Sequence, residues 1–475
     1  MTGWGLGRWA RGLAVGSIAC AAWPIALSSA SADTLEGALA QAYQNNPSLN
    51  SQRALVRATD EAVPQALSGY RPRVSANASI GTQYWDTTSR LTSSVLSGGA
   101  AYLQQSGTMT PYGYGVTATQ TLYNGFQTSN KTRQAESQVQ AARETLRTTE
   151  QTVLLSAVTA YMNLLRDGAI LDLQRRNVEV LQEQLRQTRD RFNVGEVTRT
   201  DVAQSESRLA SGRSQVLSAE ATYKASLATY RQVIGVEPGK LTPGSPVDRF
   251  SPGNLPTAIG VATATHPTVT SAQYNLDAAQ LQVKVAEGAL YPTLSLQTSA
   301  QQSNESSLTS LKSFNAAVLG QLSVPLYQGG AEYSLIRQAK ETLGQKRLDL
   351  DTARDQARQT VVQSWGQLEA AKANIDATQA QVQASEIALN GVREEARVGQ
   401  RTTLDVLNAQ QELVNARVAL VSAQRDRVVA SYTLLSAVGR LAPQVLGLRA
   451  PVYDSNVHYQ QVRDSWAGVR TPDGR

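Results

Sequence analysis

Two short turns carry the clearest local chemistry in this sequence. Val194-Gly195-Glu196-Val197-Thr198-Arg199-Thr200-Asp201-Val202 and Val398-Gly399-Gln400-Arg401-Thr402-Thr403-Leu404-Asp405-Val406 each place a threonine hydroxyl three residues before a carboxylate. A hydroxyl-x-x-acid pair satisfies the unpaired amides at the start of a helix reciprocally, and a glycine just before it tolerates the left-handed conformation that ends the preceding helix. Each turn is therefore read as the tip of a helical hairpin. Catalysis has little to work with: the sequence holds two histidines and one cysteine. His266 stands before Pro267 as Asn46 stands before Pro47, which suits a helix cap. No phosphate loop, serine elbow or metal-ligand cluster is present, so neither an enzyme nor a cofactor is expected.

The elements around the turns must be long. Aromatic residues make up 6% of the 475, with four phenylalanines, which is thin for several globular cores. Val361, Leu368, Ile375, Val382, Leu389 and Ala396 recur every seven residues before the second turn. Ala157, Leu164, Leu171, Val178, Leu185 and Phe192 do so before the first. A seven-residue period marks coiled-coil seams, and helices over 127–194 and 331–398 would extend about 100 Å. Positive and negative side chains alternate along these stretches without a basic cluster, so a nucleic-acid partner is not expected.

The N-terminus reads as an export signal. Arg8 and Arg11 precede an apolar run over 13–22, and Ala30-Ser31-Ala32 forms a small-residue cleavage site before Asp33. The run is too short for a membrane anchor, and Ser17-Ile18-Ala19 lacks the leucine expected before a lipidated Cys20. Cleavage after Ala32 would remove the sole cysteine and lower the net charge from +6 by two, to +4.

The two halves repeat. Asn46-Pro47 aligns with His266-Pro267 at an offset of 220. Leu122-Tyr123-Asn124-Gly125 aligns with Leu326-Tyr327-Gln328-Gly329, and Asp201-Val202 with Asp405-Val406, at an offset of 204. The difference of 16 falls within a strand hairpin, so the first external loop should be the longer. We divide the chain into a signal peptide (1–32), a first repeat (33–235), a Pro/Gly-rich connector (236–257), a second repeat (258–439) and a tail (440–475). Each repeat should open with a helix, over 35–67 and 258–290, and continue with a strand hairpin at about 73–122 and 293–325. In the hairpins Val74, Ala76, Ala78 and Ile80 alternate with Ser75, Asn77, Ser79 and Gly81, and charges are almost absent. Such strands can cross a bilayer, but four cannot close a barrel, so closure must come from other chains. A soluble periplasmic coiled-coil adaptor or scaffold would also explain the helical hairpins, though not these strands.

Two repeats of helix, strand hairpin, long helix, VG-turn-DV and returning helix, with Leu326-Tyr327-Gln328-Gly329-Gly330 at a strand end, resemble the TolC family of outer-membrane efflux and secretion proteins. The likeness spans almost the whole mature chain, and the long tail is similar to members serving type I secretion. The resemblance implies an α+β fold: a homotrimer whose coiled-coil hairpins form a periplasmic α-barrel and whose strands form one twelve-stranded barrel in the outer membrane of a Gram-negative bacterium. It implies passive conduction of exported proteins or small toxic compounds, with a periplasmic adaptor and an inner-membrane transporter, ABC-type or proton-driven, as partners. Asp405 matches the first acidic position of the family's entrance ring, and Asn408 stands at the second. Arg401 matches an arginine that reaches a neighbouring hairpin, and Thr200 and Asp201 match its polar partners, while Ala396 replaces the family's gating tyrosine. Val194-Gly195 and Val398-Gly399 match the turns on which adaptor tips dock.

Overall fold

The computed structural model describes residues 34–91, 101–307, 310–472 and 474; the expected signal peptide, with Cys20 and its cleavage site, lies outside the described residues. The first half runs α1 (Leu35–Asn45), α2 (Pro47–Asp60), α3 (Ala62–Leu67), β1 (Arg73–Ile80), β2 (Gln83–Leu91), β3 (Ala101–Met109), β4 (Tyr112–Asn124), α4 (Gln127–Asn193) and α5 (Arg199–Ile234). The second runs α6 (Leu255–Thr265), α7 (Pro267–Glu287), β5 (Thr293–Ser307), β6 (Ser310–Ser323), α8 (Ala331–Arg397) and α9 (Thr403–Ala437), with α10 (Pro443–Leu446) and α11 (Ser455–Val462) in the tail.

The single opening helix of each repeat is broken, and prolines are the reason. Asn46 and His266 sit at ψ 121° and 133°, the extended conformation that a following proline favours. Their side chains then cap the next helix, His266 Nδ1 accepting from the Thr268 amide at 3.2 Å. A second break, at Glu61, follows from Pro64, which has no amide to give the Asp60 carbonyl.

β1, β4, β5 and β6 form one antiparallel sheet in that order, and β2–β3 form a separate ribbon beyond it. The ladder is interrupted where Gly81 donates to the carbonyl of Pro111, itself without an amide. This ribbon is the extra length of the first hairpin. Register places Val74, Ala76, Ala78 and Ile80 opposite Ala118, Val116, Tyr114 and Tyr112. Further along the same face, Ala300 pairs with Val116 and with Ala316, and Thr298 with Val318. The opposite face is mostly polar, carrying Ser75, Asn77, Thr117, Thr119, Ser299, Gln301, Ser313 and Asn315, with Ala317 and Leu319 as its apolar members on β6. One face is therefore apolar and exposed, with Tyr114, Val116, Phe314 and Val318 open, and the other is mostly polar. Within the chain, β1 and β6 remain edge strands.

α4 and α8 are each 67 residues long, about 100 Å. Ala157, Leu164, Leu171 and Leu185 are buried along the seven-residue stripe of α4, as are Val361, Leu368 and Leu389 on α8. The main core lies mid-length, where Leu39, Tyr43, Leu49 and Val56 of α1 and α2 pack with Leu154, Tyr161, Tyr230, Ile234 and Leu435. The connector is not merely a link. Val247 is buried in that core, its amide bonded to Ser431 Oγ, and Asp248 pairs with Arg427.

The tail is laced onto the first repeat by arginine–aromatic contacts. Arg53 lies over Tyr43 and Tyr453, Arg143 over Tyr459 and Arg71 over Trp466. Between them Asp60, fully buried, meets His458 Nδ1 at 3.1 Å and Arg143 at 4.0 Å. Burial pushes the Asp60 carboxyl up, against the opposing pull of His458 and Arg143. Removing His458 takes a hydrogen-bond partner from a buried carboxyl, a loss of about 1–3 kcal/mol. His458→Ala is therefore expected to release α11, read as faster hydrogen exchange in α11 and α2 with no change at the hairpin tips.

Candidate functional site at the hairpin turns

Each turn is built by the same local bonds. Gly195 and Gly399 have φ of 78° and 79°, which the absence of a Cβ permits. The Gly195 and Glu196 amides return to Phe192 and Arg191, and those of Gly399 and Gln400 to Ala396 and Glu395, closing α4 and α8 with paired bonds that satisfy their last carbonyls. Two residues on, Thr198 and Thr402 are extended, and each completes a reciprocal cap with the acid three positions later. At the second turn the Asp405 amide donates to Thr402 Oγ1 at 3.2 Å, while the Thr402 amide and hydroxyl donate to Asp405 Oδ2 at 3.0 and 2.9 Å. These bonds, the amide's foremost, hold the Asp405 carboxyl below the usual carboxylate range. Oδ2 of Asp405 is thus the oxygen that caps α9.

The tips are bare. Val194 and Val398 are 78% and 71% exposed, and nothing lies within 4 Å of a Cβ built on either glycine. Each tip is also crossed by an ion pair that spacing alone did not reveal: Arg191 with Glu196 at 2.7 Å, and Arg401 with Glu395 at 2.8 Å. The pairs run in opposite senses, since the repeat sets Arg191 against Glu395.

Within the chain, Arg401 bonds to Glu395 rather than to Thr200 or Asp201. Thr200 is exposed, and Asp201 caps α5 through Thr198. Ala396 packs inside its own hairpin beside Leu389, Val406 and Leu413. Asn408 accepts from Arg208 Nη2 of α5 at 2.6 Å. Neither Arg208 nor Glu395 was signalled by the sequence, because each contact depends on how helices meet rather than on a motif. Among the described residues no group of three or more His, Cys, Asp or Glu side chains could hold a metal ion.

A family model described as outer membrane efflux protein matches residues 38–236 and 258–440, one match per repeat. The chain is 43% identical over 448 residues to the outer membrane efflux protein BepC of Brucella suis biovar 1 (strain 1330), covering 94% of each. It is 28% identical over 318 residues to the outer membrane protein TolC of Escherichia coli (strain K12), covering 64% of each. Among solved structures, the outer membrane protein VceC of Vibrio cholerae superposes with a TM-score of 0.69 at 20% identity, over 85% of this chain and 96% of that one.

Proposed function

Because the chain belongs to the outer membrane efflux protein family, we propose that three copies close one duct, twelve strands in the outer membrane and a helical tunnel in the periplasm, through which substrates pass without an energy input of its own. The chain is a TolC-type outer-membrane channel protein and not an enzyme. The observation that carries the proposal is the sheet: an apolar face, a polar face and two edges left open within one chain. An open strand edge in lipid leaves amides and carbonyls unpaired at several kcal/mol each, so β1 of one copy is read as pairing with β6 of the next. The polar face then lines the pore.

In the same reading the leader 1–32 is removed on export, and the two turns form the periplasmic mouth. Asp405 contributes to an entrance ring that Asn408 leaves uncharged at its second position. Arg401, Thr200 and Asp201 serve as gating contacts between neighbouring hairpins. Val194-Gly195 and Val398-Gly399 receive a periplasmic adaptor, which joins the duct to an inner-membrane transporter. The cargo is small toxic compounds, exported proteins or both.

The test is purification in detergent followed by a planar bilayer. A mass of three chains and discrete channels are expected, with Arg401→Ser raising the resting conductance. A chain that stays monomeric and soluble without detergent, and forms no channels, would point to a periplasmic adaptor instead. Unchanged conductance in Arg401→Ser would remove that side chain from the gate.

A further inference from the structure

The second hairpin is fastened to the first by contacts that the repeat does not reproduce. Leu407, 3% exposed, leaves its own hairpin and packs among Leu181 and Leu185 of α4 and Leu209 of α5. The next residue, Asn408, accepts from Arg208 of α5 at 2.6 Å. Further along, Arg425 of α9 donates to Asn163 of α4 at 2.8 Å. At the offset of 204, Leu407 and Asn408 correspond to Ala203 and Gln204, Arg208 to Glu412 and Leu181 to Ser385. The matching surface therefore has a smaller knob, a shallower apolar seat and a carboxylate in place of the guanidinium. The tie holds α9 to α4 and α5 of the same chain, and the residues at the repeat-equivalent positions do not offer the same set.

We propose that Leu407 and the Arg208–Asn408 bond are the positioning residues of the duct's mouth, fastening the second hairpin to the first within each subunit and so fixing how far the turn bearing Asp405 reaches inward. The inference rests on reading the turns as the entrance. It assigns the restraint to residues that neither the capping motifs nor the position of Ala396 supplies. Asp405 lies one helical turn before Asn408, so a fastening at 407–408 acts on the carboxylate through less than two turns of rigid helix. A solvent-exposed hydrogen bond from a charged donor shifts a two-state balance about two- to fivefold.

The full-length protein in planar bilayers tests this. Arg208→Ala is expected to raise the occupancy of the higher-conductance state about two- to fivefold. Arg208→Lys, which keeps a charged donor at this position and leaves the ring untouched, should stay near the wild-type level. In a third variant, Arg208→Cys with Asn408→Cys, a reducible bis-thiosulfonate cross-linker can tether the two positions, since Cys20 is the chain's only cysteine. Tethering should restore the low resting conductance, and reductant should raise it again. Wild-type conductance in Arg208→Ala, or equal conductance in the tethered and reduced pair once the link is verified by mass, would overturn the assignment. Failure of the wild type to form channels would instead refute the duct.

Discussion

Gly125→Ala is expected to abolish the folded, membrane-inserted form, whereas Gly329→Ala at the matching place in the second repeat is expected to leave the fold of the single chain intact. Both glycines lie between the last strand and the long helix of their repeat, at φ of 62° and 70°. An alanine in that conformation costs about 1–2 kcal/mol at either position. The surroundings then separate the two sites. A Cβ on Gly125 would sit 2.4 Å from the Gly288 carbonyl oxygen and 2.7 Å from Tyr291 Cβ, whereas nothing lies within 4 Å of one on Gly329. Backbone cannot swing aside as a side chain can, so the first junction must part from the turn after α7. A total loss above about 4 kcal/mol follows, the range reserved for core or backbone disruption. Heat resistance of the assembled protein on a gel checks both variants side by side. Equal tolerance would show that the junctions of the two repeats do not depend on this close approach.

Gly399→Glu is expected to stop export while leaving assembly intact. The turn is open, with no atom within 4 Å of the added Cβ, so a longer side chain fits the subunit. The left-handed backbone at φ 79° adds only the strain of about 1–2 kcal/mol that any side chain meets there. The larger effect falls on whatever covers Val398 and Gly399, because a charge buried unpaired in an interface costs about 2–5 kcal/mol, more than tenfold in affinity. Gly399→Ala separates the two contributions, since it carries the strain without the charge. Export lost equally in both variants would assign the glycine to turn formation alone, and normal export in Gly399→Glu would exclude this turn from docking.

Features made by neighbours in sequence were legible in it, and those made by helix packing were not. The caps of α5 and α9 could be read because Thr198–Asp201 and Thr402–Asp405 are three residues apart and close their bonds locally. Strand alternation and the seven-residue stripe are likewise periodic and local. The helix breaks are half legible: Asn46-Pro47 and His266-Pro267 read as capping pairs, yet the helical pattern continues on both sides of them. Arg208 and Asn408 are 200 residues apart, and Asp60 and His458 nearly twice that, so neither pairing has a spacing to recognise. The cross-turn pair of Arg401 with Glu395 was hidden for another reason. The resemblance assigns Arg401 to a neighbouring hairpin, and the six-residue separation across a left-handed glycine fits no helical rule.

The most direct measurement is the conductance of the purified protein in a planar bilayer, wild type against Asp405→Ala, with trivalent cations added on the periplasmic side. Threefold symmetry would bring three Asp405 carboxylates together, raising both their attraction for cations and their mutual repulsion, while the Thr402 cap on each pulls its own carboxyl down. The expected result is a cation-selective channel that trivalent ions block in the wild type and block far less in the variant. Channels indifferent both to trivalent cations and to the loss of Asp405 would contradict the placement of the duct's entrance at these turns.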